Sequence, residues 1–285
     1  MKPGNLYIVG TPIGNLEDMT FRAIRILQTV DIIAAEDTRH TGKLLQHFQI
    51  NTPQISYHTH NQQSRIPELV NKLLAGKAIA LVTDAGMPGI SDPGYELVQA
   101  CIAANITVIP IPGPSAVITA LSAAGLPTDR FVFEGFLAAK GQERQQRLAA
   151  LSTENRTLIF YEAPHRLRQT LQDFAIAFGG DREIVLAREL TKIHEEFWRG
   201  IIADAIQYYA THEPQGEFTV IIKGAETTQV VLSVDNIKIE LQKLLQQGMS
   251  RSQASRYLAA EISRSRREIY QLALTIPDTA ILPPE

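Results

Sequence analysis

The sequence predicts an α/β protein, and three observations lead there. Apolar runs of four or five residues recur, short and unbroken, as in strands covered on both faces. Stretches of helical length alternate with them. Loops rich in glycine and proline stand at the carboxyl ends of these runs, or open the helix just beyond.

The elements follow in order. Leu6-Tyr7-Ile8-Val9 is the first strand. Thr20 caps a helix carrying Phe21, Ile24 and Leu27, and Ile32-Ile33-Ala34-Ala35 is the next strand. Residues 64–74 read as a helix closed by Gly76, followed by a strand over 78–82. A glycine- and proline-rich loop covers 83–94, a helix follows, and 106–109 is a strand. This βα repetition predicts a mostly parallel sheet with right-handed crossovers. The segment 110–114, Pro-Ile-Pro-Gly-Pro, marks the domain hinge. A second α/β set begins with a helix near 115–124, with strands near 131–134, 157–161, 183–187 and 218–222.

From about Glu226 the character changes. Residues 234–247 are amphipathic and end at Gly248. Ser250 with Gln253, and Ser265 with Glu268, fit capping boxes and predict two short helices joined by a tight turn near 263–265. That pattern resembles a helix-turn-helix, and it equally suits a helical lid. The expected division is residues 1–112 and 113–225 as two α/β domains, with 226–285 as a helical extension.

Composition bounds the function. The 285 residues are 45% hydrophobic and 20% charged, which disfavours long disorder, a collagen repeat or a coiled coil. The net charge of −3 announces no nucleic-acid partner, although a local basic stripe can hide inside such a sum. The single cysteine, Cys101, excludes an internal disulfide and a multi-cysteine zinc site, and points to a cytoplasmic protein. No secretory signal pattern opens the sequence. Residues 97–128 lack charge, but Pro110, Pro112, Gly113, Pro114 and Gly125 interrupt them, so no membrane span is expected. Neither GxGxxG after a strand nor GxxxxGK[ST] occurs, which disfavours a standard dinucleotide site or a P-loop. His58-Thr59-His60 is a thin donor set that reads as two loop histidines, and no metal is expected.

Four loops carry the chemistry. They are Gly10-Thr11-Pro12-Ile13-Gly14-Asn15-Leu16, Ala35-Glu36-Asp37-Thr38-Arg39-His40, residues 83–94 with Asp84-Ala85-Gly86-Met87-Pro88 and Ser91-Asp92-Pro93-Gly94, and Pro112-Gly113-Pro114-Ser115-Ala116. Glycines permit tight turns and close backbone approach, and in open α/β sheets ligands bind beyond the carboxyl ends of the strands.

Together with Phe160-Tyr161-Glu162, His165-Arg166 and Ala187-Arg188-Glu189-Leu190-Thr191-Lys192, these loops resemble the tetrapyrrole-methylase-like family of S-adenosylmethionine-dependent methyltransferases, in the branch that acts on small-subunit ribosomal RNA. The likeness spans nearly the whole chain. It implies two α/β domains with S-adenosylmethionine folded into the cleft between them, and a homodimer. It also implies 2′-O-methylation of a decoding-centre cytidine, cytidine 1402, in 16S rRNA. Tetrapyrrole-methylating relatives carry Gly-Asp-Pro where this chain has Gly86-Met87-Pro88, so Asp84 or backbone groups must serve instead.

On that resemblance the cofactor contacts fall at Pro12, Ile13, Gly14, Asp84, Gly86, Met87, Ile90, Ser115 and Ala116. Tyr161, Ala187, Glu217, Phe218 and Thr219 close the site from the second domain. A ribose hydroxyl is a poor nucleophile that benefits from a positioned base. Glu36, Asp37, His60 and Glu162 are the candidates, with Asp37–Arg39 equally readable as a structural pair. Cations must grip the phosphates. Arg39, His40, Lys140, Arg144, Arg147, His165, Arg166 and Arg188 are candidates, joined by Arg251, Arg256, Arg264, Arg266 and Arg267, where only Glu261 opposes five arginines. Two other readings stay open at this point: the same fold acting on a tetrapyrrole or a diphthine-type protein acceptor, and a non-catalytic helix-turn-helix binder with a ligand-sensing α/β body.

Overall fold

Two five-stranded sheets form most of the chain, and they are connected differently. The computed structural model describes residues 2–226, 233–262 and 264–277. By contact the chain falls into two compact units, Met1–Ala225 and Glu226–Glu285.

The first sheet holds β1 (Leu6–Val9), β2 (Ile32–Ala35), β3 (Gln54–Ser56), β4 (Ile79–Val82) and β5 (Val108–Ile111). The order is β3-β2-β4-β1-β5 and every pair is parallel. Helices α1 (Phe21–Thr29), α2 (Thr38–His47), α3 (Gln62–Leu74) and α4 (Tyr95–Ala103) cover it. The unbroken apolar runs are explained by burial on both faces. Leu6, Ile79 and Leu81 pack with Leu69 and Leu73 of α3 and Leu97 of α4. Val9, Ile33 and Val82 pack with Ala23 and Leu27 of α1 and Leu45 of α2. The Thr20 hydroxyl accepts from the Ala23 amide at 3.1 Å and starts α1 as expected. Phe21, however, lies off the Ala23, Ile26, Leu27 stripe and is 93% exposed.

β5 begins two residues later than the sequence predicts and runs through Pro110, which pairs with Ile8. Proline donates no hydrogen bond, but β5 is an edge strand with a single neighbour, where that costs nothing.

The second sheet holds β6 (Phe131–Phe136), β7 (Thr157–Glu162), β8 (Glu183–Arg188), β9 (Glu196–Ile201) and β10 (Phe218–Ile222). Its order is β6-β7-β10-β8-β9, with only β6 and β7 parallel. The late strand β10 thus sits at the centre. Its residues alternate. Val220 and Ile222 join Phe160, Leu186, Leu167 and Phe174 on the face covered by α7 (Pro164–Phe178) and α8 (Ile202–Thr211). Ile221 joins Ile159, Val185 and Ala120 on the face covered by α5 (Ala116–Ala124). Between β6 and β7, α6 (Gln142–Leu151) completes the crossover.

Among its described residues the second unit holds three helices, α9 (Val234–Gln246), α10 (Arg251–Glu261) and α11 (Arg266–Leu274). Ile237, Leu241, Leu258 and Ile269 make its core. The Ser250–Gln253 capping box is formed in both directions. Ser265 begins α11 without a side-chain capping bond; it is exposed, where solvent can satisfy the first amides. Of the turn expected between these helices, Ser263 lies outside the described residues. Among the described residues no helix is long and apolar enough to cross a membrane.

Candidate functional site

Three of the four loops are locked together by their backbones. Thr11 and Gly86 exchange two amide–carbonyl bonds of 3.0 Å, and the Thr11 hydroxyl donates to the Thr83 carbonyl. Gly86 adopts φ +80°, which a side chain would resist. Gly10 crosses Gly113 so closely that a Cβ on Gly10 would stand 2.7 Å from the Gly113 Cα and 2.7 Å from the Met87 sulfur. The sequence signal for a shaped cleft is therefore the pair of glycines at a crossing, not their number.

These loops and the second sheet enclose a cavity of about 510 Å³, within the range of small-molecule sites. From the loops it is lined by Ile13, Gly86, Met87, Ile90, Ser91, Asp92, Ser115 and Ala116. Facing them are Tyr161, Ala187, Glu217, Phe218 and Thr219. Thr219 pairs with Tyr161 on one side and Ala187 on the other, so three strands present one transverse row. Burial pushes the Tyr161 phenol up to about 12, which keeps it protonated. Ser115 is the N-cap of α5 and makes no side-chain capping bond, and Pro164 opens α7. The N-terminus of α5 thus borders the cavity with first-turn amides and the positive end of its dipole, whereas at α7 Pro164 has no N–H and the Arg166 amide is spent on the Ala163 carbonyl.

Three expected contacts stand outside the wall. Gly14 packs on Lys192 and Thr191, Pro12 is absent from the lining, and Asp84 links neighbouring strand ends. Its carboxylate accepts from the Asp37 amide, and its own amide donates to Glu36, both at 3.3 Å.

The proposed bases separate in the same way. Asp37 caps α2 and holds Arg39 through bonds of 3.1 and 2.7 Å, which keep its carboxyl well below the usual range. This is the structural pair, away from the cavity. Glu36 lies behind the wall, raised by burial. His60 is exposed, 6.0 Å from the His58 ring, and is not part of the wall. Only Glu162 lines the cavity, and both its oxygens are engaged. One accepts from the Ala163 amide at 2.9 Å and the other from the Thr170 hydroxyl at 2.5 Å, with Arg166 3.3 Å from the first.

The expected RNA-gripping set divides as well. Arg144 is corrected: it is 5% exposed, and its guanidinium is spent on Asp173, the Ala138 carbonyl and Thr170. Buried inside α6 and α7, it joins elements and cannot reach a phosphate. Arg147 grips Glu134 with two bonds of 2.6 Å. Arg166 donates to the Leu137 carbonyl, and Arg188 faces Glu196 at 3.3 Å. Arg39, His40, Lys140 and His165 are exposed, His165 at the cavity itself. In the second unit, Arg251 donates to the Ala273 and Ile276 carbonyls and so fastens the end of α11, while Arg266 reaches the Ser252 hydroxyl. Arg256, Arg264 and Arg267 are exposed.

Sequence reasoning passed over one wall residue as a candidate for chemistry, Asp92. It belongs to the Ser91-Asp92-Pro93-Gly94 loop quoted for its shape, and nothing local to that loop reveals its neighbours. Burial and the charges of Glu36 and Asp84 push its carboxyl up to about 6. Among the described residues no cluster of His, Cys, Asp and Glu suits a metal ion.

Comparison with known proteins agrees with this architecture. Residues 5–206 match the family described as Tetrapyrrole (Corrin/Porphyrin) Methylases. A protein of Synechocystis sp. named ribosomal RNA small subunit methyltransferase I is 60% identical over 274 residues, 96% of this chain and 98% of that one. One of the same name from Escherichia coli O157:H7 is 48% identical over 274 residues, 95% of each. The crystal structure of uroporphyrin-III-C-methyltransferase from Thermus thermophilus superposes with a TM-score of 0.56 at 21% identity, over 76% of this chain and 94% of that one, a likeness of fold. The chain belongs to the tetrapyrrole methylase family, in its group of ribosomal RNA small subunit methyltransferase I proteins.

Proposed function

We propose that this chain is a methyltransferase that uses S-adenosylmethionine to methylate the ribose 2′-hydroxyl of the decoding-centre cytidine, cytidine 1402, in 16S rRNA. The observation that carries the reading is the near full-length likeness to proteins named for small-subunit rRNA methylation, joined to a cavity whose lining suits that cofactor. The proposal includes a cytoplasmic homodimer, and a boundary between two α/β domains at residues 112 and 113.

The fit rests on three features of the wall. Met87, Ile90 and Ala187 offer apolar surface to an adenine. The first-turn amides of α5 suit a carboxylate. Asp92, with Glu36 and Asp84 behind it, supplies negative potential to a cationic donor. Behind the wall, the Gly10–Gly113 crossing leaves no room for a side chain and braces the loops, with the Met87 sulfur against it. Bound S-adenosylmethionine supplies an electrophilic methyl already activated by its sulfonium, so the protein's task is to orient and desolvate. Ile13, Gly86 and Met87 hold one side, and the Tyr161–Thr219–Ala187 row holds the other. Exposed His165, Lys140, Arg39 and His40, with Arg256, Arg264 and Arg267 of the helical unit, are the cations proposed to meet phosphates.

The test is transfer of labelled methyl from S-adenosylmethionine to small ribosomal subunits that lack the modification, followed by mapping of the product. Label on the ribose of cytidine 1402 is the expected result. Label on a base, or transfer to a tetrapyrrole or a protein instead, overturns it.

A further inference from the structure

The geometry points to Asp92 as the group that accepts the proton from the attacking hydroxyl. This inference rests on the function proposed above. It follows from what the cavity offers and what it has already committed.

Among the described residues, the titratable side chains of the wall are Asp92, Tyr161, Glu162, His165 and Glu217. Tyr161 stays protonated, as shown above. Glu162 spends both oxygens on Ala163 and Thr170 and anchors Arg166. Glu217 pairs with Lys192 at 3.1 Å and is largely exposed. His165 sits in the first turn of α7 in open contact with water. Asp92 remains, partly buried, in a loop whose shape is fixed at both ends. Ser91 before it is held at φ +62° and Gly94 after it at φ +148°, while the Gly89 amide donates to the Pro93 carbonyl at 3.2 Å. Non-glycine residues in the left-handed region are uncommon and cluster where a backbone must be aimed.

The surroundings suit a base. Glu36 at the end of β2 and Asp84 beyond β4 act on Asp92 with like charge, the Thr83 hydroxyl favours its ionised form, and its charge reaches the Tyr161 phenol on β7. Two neighbouring carboxylates and a partly dry site make the ionised form eager for a proton, the condition general-base catalysis exploits. As the ribose oxygen bonds to the methyl carbon, the carbon–sulfur bond breaks and leaves its electron pair on sulfur. The hydroxyl proton passes to the Asp92 carboxylate, and from there to solvent.

The experiment compares the full-length enzyme with Asp92→Asn, Asp92→Glu and His165→Asn, using small ribosomal subunits as acceptor. Asp92→Asn is expected to weaken S-adenosylmethionine binding by no more than about 10-fold by calorimetry, the loss of one carboxylate's attraction for the cation, yet to lose about 100-fold or more in kcat at saturating cofactor. The kcat of the unaltered enzyme falls as pH drops through about 6, and Asp92→Asn lacks that limb. Asp92→Glu recovers part of the rate. A carbon-13 carboxyl resonance titrating near pH 6 is present in the unaltered protein and missing from Asp92→Asn. The inference is overturned if Asp92→Asn turns over within 3-fold of normal, if its rate falls only as cofactor affinity falls, or if His165→Asn removes the acidic limb. A carboxyl titrating near its ordinary value overturns it too. If the unaltered enzyme transfers no methyl to subunits, the proposed function falls and takes this inference with it; the Asp92 variants alone cannot produce that result.

Discussion

The two walls of the cavity are built on opposite principles. The first sheet contributes loops beyond strand ends, such as Gly86, braced from behind where backbone meets backbone at Gly10–Gly113 and Thr11–Gly86. The second sheet contributes side chains standing on paired strands, the row Tyr161, Thr219 and Ala187. A backbone wall gives close approach and free amides but tolerates no added atom. A side-chain wall can be retuned one residue at a time. The comparison suggests that cofactor binding is fixed by the loops, while fine adjustment falls to the sheet.

Placing a methyl at the glycine crossing that braces the backbone wall should do the most damage. In Gly113→Ala the new Cβ would meet the Gly10 Cα at 2.7 Å and its carbonyl carbon and oxygen at 2.9 Å, none of which can rotate away. Overpacking of this kind costs about 1–3 kcal/mol, so cofactor affinity should weaken by about 10- to 100-fold in calorimetry. Normal affinity would show that the crossing yields to an added methyl without disturbing the cavity. Ala187→Val, on the opposite wall, should weaken affinity only about 3- to 10-fold, because a side-chain row can shift to admit two methyls. An effect as large as that of Gly113→Ala would mean that the sheet wall is equally rigid.

The smallest effect concerns charge. The folded state raises the Asp92 carboxyl from 3.8 to about 6. Between those values the native protein keeps a proton that the unfolded chain gives up, so stability falls as pH rises through the window. The cost is complete above about pH 6 and absent below about pH 4. Asp92→Asn should therefore raise stability at pH 8 by about 1 kcal/mol, after allowance for solvent access, and leave it unchanged at pH 4. Thermal melts at the two values check this. An equal gain at both would show that the substitution acts by packing rather than by charge.

The strands most legible in the sequence were the ones buried on both faces. β1, β2 and β4 are unbroken apolar runs, and β10 is broken only by Thr219, because almost every position in them is buried. The misses are edge strands. β3 reads Gln-Ile-Ser and β9 reads Glu-Phe-Trp-Arg-Gly-Ile, half-exposed mixtures without the signature. β5 hid behind Pro110. β6 runs past its predicted end through a bulge between Phe133 and Gly135, with Gly135 at φ +63°. The cavity loops were legible because glycine and proline announce shaped turns. The isolation of Arg144 and the surroundings of Asp92 were not, since each depends on side chains from elements far apart in sequence.

The central place of β10 has a consequence for how the molecule is made. Strands β7 and β8 emerge from the ribosome with their inner edges open, and the strand that joins them comes last in the first unit, at residues 218–222. The parallel sheet can be complete about a hundred residues earlier, once β5 has appeared. A nascent chain stopped short of β10 would carry two unpaired edges, the template for mispairing with other chains. It would also lack Phe218 and Thr219 from the cavity. Ligand recognition is thus withheld until synthesis of the α/β portion is nearly finished, so an incomplete chain cannot pass for a working one.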